Sequence, residues 1–195
     1  MGLFEPIFAA LDEAGVRYVV VGGVAVVLHG HARLTADLDI AIDLAPQAAR
    51  DAIDGLQRLG LRPRVPVDAS DFADPEVRAR WIADRDMRVL SLWDPANPMR
   101  SLNLFVENPI DFEELWIGSE VVDLDDMQIR VASKQPSDGW EAHRLARLTN
   151  GLEATPAQRL AWLEEAIEFA HRAGALPRGR PDRSPPGGPR DEARR

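Results

Sequence analysis

A chain of 195 residues with 45% hydrophobic and 28% charged residues has the size and balance of one globular domain with a core of its own. It contains no cysteine, which excludes disulfide frameworks, thiolate zinc sites and cysteine nucleophiles, so any metal must sit on oxygen or histidine. The formal net charge is −9, and because the segment after Leu176 holds six arginines against three acids, the remainder stands near −12; such an acidic body argues against broad capture of nucleic acid, though a local basic groove is still allowed.

In chain order, Leu3, Phe4, Ile7, Phe8 and Leu11 recur at helical spacing, with Pro6 in a first turn and Gly15 as C-cap. "VRYVVV" reads as a buried strand ending at Gly22-Gly23, and "VAVVLHG" as a short helix closed by Gly30. "DLDIAIDL", residues 37–44, alternates acidic or small residues with apolar ones, which predicts a half-buried strand with one polar face. A helix follows over 46–59, and "DPEVRARWIADR" predicts another, with Asp74 as N-cap and Pro75 at its first position. "MRVLSLW" and "SLNLFVE" flank "DPANPMR", a turn that makes them adjacent strands. Phe112 to Trp116 reads as a short helix, "EVVDL" and "MQIRVAS" as a hairpin, and the stretch from Thr155 to Gly174 as a long amphipathic helix. The sum is an α/β or α+β domain over 1–176, a mixed sheet with flanking helices, and a Pro/Gly/Arg tail over 177–195 that has too little to bury and is expected to be disordered. The longest apolar run, Tyr18 to Leu28, is too short to span a bilayer, so no membrane contact and a cytoplasmic location are expected.

The chemistry concentrates in "VVVGGVAVVLHGHARLTADLDIAIDL". On a strand, residues 37 and 39 point the same way with Cα atoms roughly 6.5–7 Å apart, so both carboxylates can reach one cation. Such a pair supplies hard oxygen ligands to Mg²⁺, which shares itself with substrate phosphates. Asp43 has the same parity but lies roughly 13 Å from Asp39, too far for the same ion. Where a strand passes into a helix, exposed N–H groups attract phosphate and glycine lets the backbone approach, a geometry that Gly22-Gly23 satisfies. Taken singly, the aspartates also read as a polar strand edge and the glycines as a tight turn. Neither G-x-G-x-x-G nor G-x-x-x-x-G-K-[ST] occurs, which sets aside dinucleotide and P-loop readings. Arg33 can clamp phosphate in a bidentate fork, or balance the acids. His29 and His31 are better read as structural than as zinc ligands, and the five tryptophans, scattered singly, as packing.

The order strand, Gly-Gly, short helix, then Arg33-Leu34-Thr35-Ala36 leading into Asp37-Leu38-Asp39 resembles the nucleotidyltransferase superfamily, and within it the AbiEii-like nucleotidyltransferase toxins and their relatives. The resemblance covers about residues 1–132 and resumes at "TPAQRLAWLEEAIEFA". It implies a polymerase-beta-like fold in which Asp37 and Asp39 hold Mg²⁺ or Mn²⁺ and the nucleoside triphosphate, while Gly22, Gly23, Arg33 and Thr35 contact the nucleotide. It also implies transfer of a nucleotide onto RNA, a tRNA end above all, or onto a protein, in a toxin that pairs with a cognate antitoxin. The family's third acid stands in an h-D-h-F context, which here is "SLNLFVE", with Asn103 as the third member. Asparagine can ligate through its amide oxygen but brings no charge and cannot act as a general base. The segment 133–155 also departs from the family pattern of basic and acidic pairs. Two further readings stay open: the fold kept as a nucleotide- or partner-binding module without turnover, and an antitoxin-type minimal nucleotidyltransferase that modifies a toxin.

Overall fold

The computed structural model describes residues 2–30, 37–124, 127–133 and 156–175. Arg33 and Thr35, nearly all of the divergent 133–155 segment, and the tail expected to be disordered lie outside the described residues.

Seven strands, β1 (Tyr18–Val21), β2 (Leu38–Ile42), β3 (Arg62–Pro63), β4 (Val89–Asp94), β5 (Asn97–Phe105), β6 (Glu120–Leu124) and β7 (Met127–Val131), form one sheet. Its order is β3-β4-β5-β2-β1-β7-β6. The sheet is mixed: β2 runs parallel to β5 and antiparallel to β1, and β1 runs parallel to β7. The helices are α1 (Glu5–Glu13), α2 (Gly22–Leu28), α3 (Pro46–Arg58), α4 (Pro75–Arg85), α5 (Phe112–Ile117) and α6 (Pro156–Arg172), with a 3-10 helix over Ala69–Ala73. The expected mixed α/β sheet with flanking helices is therefore what the chain forms.

Alternation along the strands sorts their side chains onto two unequal layers. On one face Val20, Leu38, Ile40, Ile42, Leu90, Leu92, Leu102 and Leu104 pack with Ile7, Phe8 and Leu11 of α1 and Ile53 and Leu56 of α3 in the main core. On the other face Val19, Val21, Ala41 and Phe105 pack with Phe112 and Leu115 of α5 in a smaller cluster. Local signals fix the helix starts: Asp74 Oδ1 accepts the Glu76 and Val77 N–H groups at 2.8 and 3.4 Å, and Asp111 Oδ1 accepts those of Glu113 and Glu114 at 2.9 and 3.1 Å.

The structure corrects the reading of residues 37–44. The strand spans only Leu38–Ile42, and all five of its residues are buried, where a half-buried strand was expected. The reason is position: β2 lies between β1 and β5, with the main core on one face and the α5 cluster on the other. Asp37 stands one residue before the strand, in a bend. Asp43 follows the strand and is held by Arg17 at 2.7 Å and by the Ala45 N–H at 2.9 Å. The turn between β4 and β5 is also tighter than "DPANPMR" predicts, reduced to Pro95-Ala96, with Pro98 inside β5 beside a register shift at Trp93/Asp94. A bulge tolerates the missing proline N–H.

Candidate functional site

Strand register brings distant parts of the sequence to one end of the sheet. In the antiparallel β1–β2 pair Val21 faces Asp39, so the chain leaving β1 at Gly22-Gly23 runs alongside the Leu38 and Asp37 end of β2. Gly22 opens α2 with φ of 68°, in the left-handed region that a side chain disfavours, after Val21 in extended conformation. The glycine pair and the acid pair are thus neighbours through backbone pairing, even though thirteen residues separate Gly23 from Asp37 in the sequence. On the other side of β2 the parallel register pairs Asp39 with Asn103, and the antiparallel β4–β5 register pairs Asn103 with Ser91.

Val21, Asp39, Asn103 and Ser91 therefore form a row across four strands, on the face that carries the α5 cluster. Asp39 is completely buried, and Asn103 and Asp37 nearly so, at 3% and 7% exposure. A buried carboxylate needs partners, since removing it from water without them is costly. Asn103 Nδ2 donates to Asp39 Oδ1 at 3.0 Å, and Ser91 Oγ donates to Asn103 Oδ1 at 2.7 Å. The neutral residue at the third position thus contributes a hydrogen-bond donor to Asp39, and its amide oxygen is engaged with Ser91. Ser91 was not legible as a site residue in the sequence.

Of the other candidates, His29 closes α2 and its Nε2 donates to the carbonyl of Ala132, at 2.7 Å, just beyond β7. That ties α2 to the sheet and is a structural role. His31 lies outside the described residues. Trp81 is buried in the main core, Trp93 lies under Arg64, and Trp116 is flanked by Arg17 and Arg130, with guanidinium carbons 5.6 and 4.1 Å from its ring centre. These are packing roles. Two clefts, of about 310 Å³ beside Glu164, His171 and Arg172 and about 240 Å³ beside Asp12, Tyr18 and Arg130, include none of the residues of the polar row.

The donor set suits a hard cation in part. Asp37 and Asp39 offer carboxylate oxygens two residues apart, and among the described residues no cluster of three or more His, Asp or Glu could hold a metal. Two carboxylates suffice for Mg²⁺, which takes its remaining ligands from water and substrate phosphate. Among the described residues, no helix is long and apolar enough to cross a membrane.

No family model matches the chain, and no curated protein matches it. Among solved structures it is similar to the lincosamide antibiotic adenylyltransferase LnuA in its lincomycin-bound crystal structure, with 16% identity and a TM-score of 0.44 over 88% of this chain and 96% of that chain.

Proposed function

We propose that the chain is a nucleotidyltransferase that moves a nucleotide from an NTP onto an RNA, a tRNA end foremost, or onto a protein, as the toxin of a toxin–antitoxin pair. The observation that carries the reading is the pairing of Val21 with Asp39, which sets a glycine-led helix start beside two buried aspartates at one sheet end. Asp37 and Asp39 would hold Mg²⁺ or Mn²⁺. Bound there, the cation would neutralise charge on the triphosphate and steady the leaving pyrophosphate. Gly22 and Gly23 give the phosphates close access to backbone N–H groups, and Arg33 and Thr35 add side-chain contacts. The acceptor hydroxyl attacks the α-phosphorus, its new P–O bond replaces the bond to pyrophosphate, and its proton passes to a base other than Asn103, which cannot take one.

A second reading, binding without turnover, draws on one observation: the third position is an amide that donates to Asp39 at 3.0 Å. One experiment separates the two. The purified chain is incubated with labelled NTPs, Mg²⁺ and total tRNA, beside a control carrying Asp37→Ala and Asp39→Ala. Label transfer that disappears in the control supports the transferase; NTP binding without transfer supports the binding module; absence of both sinks the two together.

A further inference from the structure

The bonds of the polar row all run in one direction. Ser91 Oγ donates to Asn103 Oδ1 at 2.7 Å, and Asn103 Nδ2 donates to Asp39 Oδ1 at 3.0 Å. A carboxylate can only accept, so the amide edge that faces Asp39 must be nitrogen; turning the amide over would set oxygen against oxygen in a buried place. Ser91 makes that orientation the stable one, because its hydroxyl donates to the oxygen that remains. Asn103 is 3% exposed and Asp39 fully buried, so water does not compete for these bonds. The amide oxygen, the only side-chain atom of Asn103 able to ligate a cation, faces Ser91.

We infer, on the reading of Asp37 and Asp39 as a cation pair, that Asn103 and Ser91 are positioning residues and not ligands. Ser91 fixes the amide of Asn103, and the amide fixes Asp39 Oδ1, so that Asp39 is held in place before a cation arrives. The site is then a two-carboxylate site, and the asparagine spares the row the repulsion of two adjacent carboxylates, which would need a cation to offset it.

The test is Mn²⁺ titration calorimetry on the full chain, with melting in EDTA and in Mn²⁺ as a second readout. The wild type, Ser91→Ala, Asn103→Ala, the double variant, Ser91→Thr and Asn103→Asp are compared. The relay predicts that each alanine variant weakens Mn²⁺ binding about tenfold, as loss of a residue behind a ligand does, and that the double variant loses no more. Ser91→Thr, which keeps the hydroxyl, binds as the wild type. Asn103→Asp melts about 2–4 °C lower than the wild type in EDTA and recovers in Mn²⁺. A Ser91→Ala variant that binds Mn²⁺ normally, beside an Asn103→Ala variant that does not, would make Asn103 a ligand and overturn the inference. So would losses that add in the double variant. A wild type that binds no Mn²⁺ defeats the cation reading itself; the relay is then judged by melting in EDTA, where non-additive losses at 91 and 103 uphold it and additive losses reject it.

Discussion

Val21 and Asp39 face each other across the antiparallel β1–β2 pair. That one pairing sets Gly22, with its φ of 68°, next to the entry of β2, and makes the conformation of a glycine part of the surroundings of a buried aspartate. Gly22→Ala should cost about 1–2 kcal/mol, the penalty of a Cβ in the left-handed region, and should weaken NTP binding as the helix start shifts. Urea denaturation measures the first and nucleotide titration the second. A stable variant that still binds nucleotide would show that the turn needs no glycine.

Arg17 fastens α5 to the sheet from outside the site. Its guanidinium pairs with Asp43 at 2.7 Å and Glu113 at 2.6 Å, and lies 5.3 Å from the centre of the Phe112 ring and 5.6 Å from that of Trp116. The group is about two-fifths exposed, which screens the ion pairs, so the loss expected for Arg17→Ala is about 1–2 kcal/mol, shared between pairing and stacking. Arg17→Lys keeps the charge and loses the planar stack, and should recover less than half. Urea denaturation followed by tryptophan fluorescence reads both, and full recovery by lysine would mean that stacking contributes nothing.

Much of this architecture was legible because the signals are local. Asp74-Pro75 announces α4, the β-branched run announces β1, and the Gly-Gly to Asp-x-Asp order brings the candidate site into view. What escaped depends on long-range register. A plain two-residue hairpin at Pro95-Ala96, continuing the pairing of Asp94 with Asn97, would set Arg88 opposite Asn103; the shift at Trp93/Asp94 sets Ser91 there instead. No periodicity in "MRVLSLW" reveals a bulge, so neither Ser91 nor the direction of the Asn103 amide could be read beforehand. The burial of β2 was missed for a similar reason. Its acidic and small residues mark a polar face, but its central place in the sheet is decided by β5, some sixty residues later.

Asp43 gives the fold a pH dependence with a definite sign. The Ala45 N–H, first, and the hydrogen bond from Arg17, second, hold its carboxyl below the ordinary 3.8. A group with a depressed native pKa binds protons more weakly folded than unfolded, so its contribution is complete above the unfolded value and disappears as pH falls through the folded one. Asp43→Asn keeps an oxygen for the Ala45 N–H and removes the charge. It should lower stability at neutral pH and flatten the decline that the wild type shows as pH falls below the ordinary carboxylate value, seen as urea midpoints that converge with the wild type in acid. Parallel curves for the two proteins would exclude Asp43 from the acid transition.

Arg78 was invisible in the sequence as anything but a charged position on a helix, yet it is only 7% exposed. One guanidinium nitrogen donates to the Phe72 carbonyl at 2.6 Å and the other to the Leu44 carbonyl at 3.1 Å, while the group lies 5.6 Å from the centre of the Phe72 ring. Burial pushes its pKa down, and Asp74 partly restores it. The side chain thereby ties α4 and the 3-10 helix to the residues that follow β2, and satisfies two carbonyls that secondary structure leaves unpaired. Arg78→Met preserves the stem and strands both carbonyls, for an expected loss of about 2–3 kcal/mol. Arg78→Lys offers a single point of charge where a fork is needed, and should recover one of the two bonds at most. Urea denaturation at neutral pH ranks the three proteins; a methionine variant as stable as the wild type would show that water replaces the guanidinium at both carbonyls.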